Sequence, residues 1–361
     1  MCVDFYKFKM IKYITIITFL SLVSFLPVHG QNDTIDLHKI LNVSRTKLFE
    51  SEEPIEITLR FDITEFRKSK FKKENQDAIM TYYLNGKDTV SRNIKLRSRG
   101  NFRLQYCDFP PIRLNLDKED LPGDEFNEID KIKLVTHCKV GGGDYVLREY
   151  LVYKLFNVLT DQSFKVRLVK IKYINSRKPD KPDIEEAFLI EPTEFLSKRL
   201  NSTEITPERF SQKFVKPEVM DRVAVFNYMI GNYDWSVPVL HNLAAFSPRN
   251  FEYPNLGLVV PYDFDYSGIV NTSYAVPPET LPIKTVRERL YLGICRSEED
   301  FRKTLNVFLE KKQEFYKVIN EFPYLKKSSK KEMTAYLDTF YAEFGKRNNL
   351  VYKILSECQD F

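Results

Sequence analysis

Apolar positions alternate in short runs through the first half of the chain. Ile55–Phe61, Ala78–Leu84, Arg92–Ser98, Pro111–Leu116 and Lys131–His137 are rich in Ile, Thr, Tyr and Leu at partial period two. That pattern belongs to strands with one buried face. Asn85-Gly86, where both residues tolerate positive φ, predicts a two-residue hairpin turn. Residues 66–76 (FRKSKFKKENQ) form a charged excursion, a solvated helix end or loop. The period then changes. Tyr145–Leu159 repeats its apolar residues at three and four, which predicts an amphipathic helix with Asp144 as N-cap. Lys165–Ile174 and Glu186–Ile190 read as a strand pair joined by a Pro- and Lys-rich surface loop, Ser176–Asp183, and followed by a short helix, Glu194–Leu200. Beyond it, Lys216–Met229, Arg287–Leu292, Glu298–Asn320 and Lys330–Ser356 read as helices, with short strands at Val239–Phe246 and Leu256–Tyr262. No internal repeat is visible. The order predicts an α+β chain: an antiparallel β-rich N-terminal lobe over about residues 50–190, a mainly helical C-terminal lobe over about 191–361, and a cleft between them.

The first 30 residues do not fit this pattern. Lys7, Lys9 and Lys12 precede an apolar run from Tyr13 to Val28, and Val28-His29-Gly30 ends it. A basic start, a short apolar run and a small terminal residue describe a secretory signal peptide. At about 16 residues the run is short for a membrane span of roughly 20. No second long apolar segment follows, so no stable span is expected after cleavage. The expected product is periplasmic, cell-surface or secreted and spans residues 31–361. Its charge falls from +5 to +3, with no basic stripe interleaved with stacking aromatics and so no argument for nucleic acid. With 43% hydrophobic and 14% aromatic residues it is not a disordered chain. Four cysteines remain: Cys107, Cys138, Cys295 and Cys358. Three pairings are possible. Cys107–Cys138 is the first choice, since both follow strands of the same region. No CxxC or His/Cys cluster suggests zinc, and His137 beside Cys138 reads as structural.

Two segments carry candidate chemistry. Gly231-Asn232-Tyr233-Asp234-Trp235-Ser236-Val237-Pro238-Val239-Leu240-His241-Asn242 follows a helix and places Asp, His and Asn in one loop. Val259-Val260-Pro261-Tyr262-Asp263-Phe264-Asp265 ends an apolar strand in two carboxylates. Asp234, Asn242, Asp263 and Asp265 make a set of hard oxygen donors suited to Mg²⁺ or Mn²⁺. Carboxylates converging in a cleft would repel one another without a cation. Phosphoryl transfer uses such a set: one Asp accepts a hydroxyl proton, while an Asn and a second Asp hold the metal on the phosphates. Asp and Asn also favour turns for purely local reasons.

The helix, the Asn-Tyr-Asp…His-Asn loop and the Asp-Phe-Asp together resemble the CotH-type atypical protein kinases, secreted or spore-coat relatives of the protein-kinase fold. The loop is also similar to HipA-like and lipid-kinase-like catalytic loops. Upstream, Arg97-Ser98-Arg99-Gly100-Asn101-Phe102-Arg103, Phe109-Pro110-Pro111-Ile112-Arg113-Leu114 and Leu147-Arg148-Glu149 are similar to the family's Arg-Gly-Asn stretch, its basic strand and its Leu-Arg helix. The resemblance covers about residues 50–320. It implies a two-lobed kinase-like fold, ATP with Mg²⁺ or Mn²⁺, and a protein acceptor. Asp234 becomes the catalytic base, Asn242 and Asp263 metal ligands, and Asp265 a further metal or phosphate-side group. Arg99 or Arg113 would neutralise phosphate charge, Glu149 would be the helix carboxylate that positions a basic group, and Ile190–Thr193 the hinge. The sequence departs from ordinary kinases in lacking GxGxxG, a VAIK-like lysine and His-Arg-Asp. The strand lysine falls at or near Asn115, and the Asp234–Asn242 interval is eight rather than five. Two other classes stay open on the same residues: a non-catalytic kinase-fold surface module, and a metal-dependent hydrolase. ATP is scarce outside the cytoplasm, which counts against the kinase.

Overall fold

Strands with a strict inside and outside face can close on themselves, and here they do. A computed structural model of the chain describes residues 47–84, 87–117, 124–139, 142–208, 210–249, 257–344 and 349–359; the expected signal peptide and the Asn85-Gly86 turn lie outside them. Seven strands, β1 (Ile55–Phe61), β2 (Gln76–Leu84), β3 (Asp88–Ser98), β4 (Ile112–Asn115), β5 (Lys131–Val135), β6 (Val166–Asn175) and β7 (Lys178–Ile190), form a closed barrel in the order β1-β2-β3-β4-β5-β7-β6. All neighbours are antiparallel except β1 and β6, whose parallel pairing closes the barrel. The expected antiparallel sheet is thus corrected to a barrel. Closure removes the edges that an open sheet would leave unpaired.

Period two explains the barrel's filling. Ile55, Ile57, Leu59 and Phe61 point inward with Met80, Tyr82, Ile94, Leu96, Ile112, Leu114, Ile132 and Leu134. On β6 and β7 the outward residues are buried too. Val166, Leu168, Phe188 and Ile190 join a second core, while Val169, Ile171, Ala187 and Leu189 stay in the first. The expected loop Ser176–Asp183 is largely strand, because β7 begins at Lys178 and runs against β6 with exposed polar residues.

Helices α1 (Ile63–Ser69), α2 (Phe102–Tyr106) and α3 (Gly143–Leu159) accompany the barrel. α3 is buried on most of its surface rather than along one stripe. Asp144 is not its N-cap. It lies inside the first turn, where its carboxylate accepts from Arg148 Nε at 2.8 Å and from Ser329. The rest is mainly helical: α4 (Thr193–Arg199), α5 (Pro217–Ile230), α6 (Glu298–Glu310), α7 (Lys312–Glu321), α8 (Lys327–Ala342) and α9 (Asn349–Glu357). A three-stranded sheet, β8 (Ser202–Ile205), β9 (Leu243–Pro248) and β10 (Leu258–Pro261), stands beside them in the order β10-β9-β8.

Three further expectations change. Glu298–Asn320 is two helices broken at Lys311, which lets Phe301, Leu305 and Phe308 and then Phe315 and Ile319 all reach the core. Arg287–Leu292 is irregular. Arg289 leaves its own segment to donate to the carbonyl of Met229 (3.0 Å), an orphan group at the end of α5, and to the Tyr336 carbonyl of α8 (2.7 Å). Val239–Asn242 lies outside β9, for a reason the site makes clear. Both disulfides form: Cys107–Cys138 and Cys295–Cys358.

Candidate functional site

α5 ends at Gly231, whose φ of 67° is left-handed and whose added Cβ would lie 2.0 Å from the Tyr336 hydroxyl. Only glycine serves there. A ladder of amides then sets the loop. Asn227 Nδ2 donates to Val223 O, Asn232 Nδ2 to Asn227 Oδ1 at 2.9 Å, and the Asp234 N–H to Asn232 Oδ1 at 3.1 Å. Ser236 and His241 next exchange backbone hydrogen bonds at 3.0 and 2.9 Å, closing a small hairpin that holds Leu240 at a φ of 48°. This hairpin accounts for the interval of eight and delays β9 until Leu243. It also returns His241 and Asn242 to Asp234. His241 Nε2 lies 2.9 Å from Asp234 Oδ1, and Asn242 Nδ2 donates to Asp234 Oδ2 (2.9 Å) and to its carbonyl (2.7 Å).

The second segment is tied to the first. The Tyr262 N–H donates to Asn242 O at 3.0 Å, and Gly268 N to Gly231 O at 3.0 Å. Asn242 (φ 51°) and Asp263 (φ 64°) both adopt left-handed backbone. Such conformations cost free energy and cluster at functional sites. The Asp263 N–H donates to the Tyr153 hydroxyl at 2.8 Å. Tyr153 sits one turn beyond Glu149 on α3, so one helix face serves both.

Asp265 and Glu149 are buried together. The Tyr274 hydroxyl donates to Asp265 Oδ2 at 2.7 Å. With Arg103 of α2, these three line a small cavity. Glu149 Oε1 is buried with no hydrogen-bond partner. Burial first, then Asp265 and Asp263, push the Glu149 carboxyl well above its usual range, with Arg103 and Arg99 opposing. Burial and Asp263 likewise raise Asp265, against Arg103 and Tyr274. Burial and mutual repulsion therefore make it costly for both carboxyls to be ionised together.

The cations come from the barrel's outer face. Register aligns Arg97 with Arg113 and Arg113 with Lys133 across β3, β4 and β5, one row perpendicular to the strands. Lys133 Nζ stands 4.7 Å over the Tyr262 ring, beside Asp263. Burial first, then Arg99, push its ammonium down to about 8, although Asp263 pulls the other way. Arg113 is lowered by burial and by Arg97 and Arg99.

The structure thus joins Asp234 to Asn242 directly and Asn242 to the Asp263 strand end, and sets Glu149, Asp265 and Arg99 within the field of Asp263. Arg113 belongs to the adjoining basic row. It does not gather the carboxylates into one knot: among the described residues, no three acidic or histidine groups that include Asp234, Asp263 or Asp265 bring ligand atoms within 4.8 Å of one another. The donor set still fits a hard cation. Its members are oxygens, and Mg²⁺ is ordinarily held by one or two carboxylates with waters and phosphate. With the Asn242 amide hydrogens committed to Asp234, its Oδ1 is the atom left for a metal.

Sequence reasoning missed Lys133, Tyr153 and Tyr274, and quoted Arg103 in the Arg-Gly-Asn stretch without assigning it a role. Asn115 does not take the lysine's place; its amide bonds Asn75 at 3.0 Å. The alternation Lys131-Ile132-Lys133-Leu134 does say that Lys133 faces out, but not that it lies beside Arg113.

No protein-family model matches the chain, and no curated protein does. Its structure is similar to the crystal structure of a Helicobacter pylori proinflammatory kinase, CtkA, with 8% identity, a TM-score of 0.36, and coverage of 77% of this chain and 90% of that one. At that score the likeness carries no argument, and the chemistry rests on the residues.

Proposed function

We propose that this is an exported, metal-dependent phosphotransferase with a two-lobed, CotH-like kinase fold, moving the terminal phosphoryl group of ATP to a protein hydroxyl. One observation carries the reading. Each carboxylate oxygen of Asp234 is held by a different residue of its own loop, and one of these, Asn242, is bonded to the strand that ends at Asp263. A general base and a metal-holding pair are thereby fixed relative to one another, as in-line phosphoryl transfer needs.

Asp234 accepts the acceptor's hydroxyl proton, with His241 and Asn242 fixing its orientation. Asn242 and Asp263 would hold Mg²⁺ or Mn²⁺, which would supply positive charge against the phosphates. Lys133, Arg99 and Arg113 supply the remaining positive charge. Glu149, Asp265 and Arg103, which is held by the Thr136 carbonyl at 2.6 Å, adjust the field at Asp263. The hinge role belongs to Ile190–Thr193, where β7 gives way to α4. Two disulfides support an oxidising compartment.

The test is thermal shift with ATP or ADP plus Mn²⁺. The melting temperature is expected to rise by several degrees in the wild type and not in Asp263→Ala, while Asp234→Asn keeps the nucleotide-dependent shift and loses phosphoryl transfer by about 10²-fold or more. No shift with either nucleotide would sink the reading. A shift without transfer would favour the binding module.

A further inference from the structure

On the opposite face of the barrel wall from the basic row, a second group of residues has no part in this chemistry. His137 follows β5 and is 1% exposed. Its ring stacks on Phe109 at 4.9 Å between centroids and lies 5.8 Å from the Tyr173 ring. Asp183 and Glu185 share the face of β7 that also carries Ala187 and Leu189 into the barrel core. Tyr173 on β6 stands directly opposite Asp183.

We propose that His137, Asp183 and Glu185 bind a divalent transition-metal ion, with Zn²⁺ the fitting occupant. One ligand atom from each lies within 4.8 Å of the other two. A hydrogen-bonded cluster would be the ordinary use of such a group, and the imidazole excludes it: neither Nδ1 nor Nε2 has a hydrogen-bond partner. Leaving a buried imidazole unpaired costs on the order of 1–3 kcal/mol. The buried Tyr173 hydroxyl beside them is also without a hydrogen-bond partner. A cation bonded at about 2.0–2.2 Å needs its ligands roughly 3–4 Å apart, a small inward adjustment. One imidazole with two carboxylates is a mixed N/O set. It selects Zn²⁺ over Mg²⁺, which favours oxygen alone. With three protein ligands the site keeps an open position beside Tyr173. Bound there, the ion clamps the end of β5 to β7, next to the Cys107–Cys138 disulfide.

The experiment titrates Zn²⁺ into the EDTA-stripped, fully oxidised chain by calorimetry in excess Mg²⁺, which occupies the oxygen-only site. One equivalent should bind. His137→Gln and Asp183→Asn should each weaken it at least tenfold, with melting in EDTA showing that both variants fold. Asp263→Ala should leave Zn²⁺ affinity unchanged, so loss of the nucleotide site and loss of this one are separately visible. As a check on the unmutated protein, Co²⁺ should shift the ring protons of one histidine paramagnetically, and the shifted signals should persist in His241→Gln. Absence of Zn²⁺ binding, wild-type affinity in His137→Gln, or shifted signals that vanish in His241→Gln would overturn the proposal.

Discussion

Asp221 shows how one buried side chain sets a pH dependence. It lies on α5 beneath Arg296, whose Nε is 3.4 Å from its carboxylate. Burial raises the carboxyl from its usual 3.8 to about 6, with Arg296 opposing. The folded chain therefore holds a proton that the unfolded chain releases between about pH 4 and 6. Its ionisation opposes folding increasingly as pH rises through that window, by at most about 3 kcal/mol. Asp221→Asn, which cannot ionise, should gain stability relative to wild type as pH rises from 4.5 to 7, read as a difference in melting temperature. The proposed function makes a prediction for Lys133 at the same scale. Lys133→Met keeps the aliphatic stem over Tyr262 and removes the charge. It should weaken nucleotide binding about tenfold or more in calorimetry, with little change in melting temperature. Neither residue announces itself in sequence. Asp221 is one polar position in a helix that reads as amphipathic, and Lys133 is one of 55 basic residues.

At the scale of elements, the alternating segments become strands because a closed barrel offers each a buried face. Ile55–Phe61 matches β1 at both ends. Segments without a clear period are where expectation and structure part. Arg287–Leu292 has helical composition but spends its arginines on other helices' carbonyls. Lys178–Asp183 has loop composition but pairs with β6, since backbone bonds there do not depend on side-chain polarity. The loop from Gly231 to Asn242 is the sharpest case. Its eight-residue interval is a hairpin, and its entry needs Gly231. Gly231→Ala would force a Cβ both into left-handed backbone and onto the Tyr336 hydroxyl. The expected outcome is a loss of more than 1 kcal/mol in denaturant unfolding, together with a larger proportional loss of transfer activity than Tyr336→Phe causes.

For the whole molecule, the two disulfides close loops of 31 and 63 residues. By loop-closure entropy each stabilises the fold by about 4 kcal/mol. Cys295→Ser with Cys358→Ser should lower the unfolding free energy by roughly that amount while leaving nucleotide affinity near wild type, because this bridge joins the segment before α6 to the end of α9. The Cys107–Cys138 bridge flanks α2, which carries Arg103. Its removal should therefore also weaken metal-nucleotide binding, by several-fold in the same thermal-shift assay.

The chain's local patterns were enough to specify most strands, the helices Gly143–Leu159 and Pro217–Ile230 and the polar residues worth testing, and to favour the first disulfide among three pairings, because period, turn chemistry and hard-oxygen donors are properties of neighbours in sequence. Closure of the barrel, the row Arg97–Arg113–Lys133, the burial of Glu149 with Asp265 and Arg103, and the meeting of His137 with Asp183 and Glu185 were decided only by tertiary structure. Register between distant strands is fixed by cooperative packing of two cores, and no local pattern encodes which residues such packing will bring face to face.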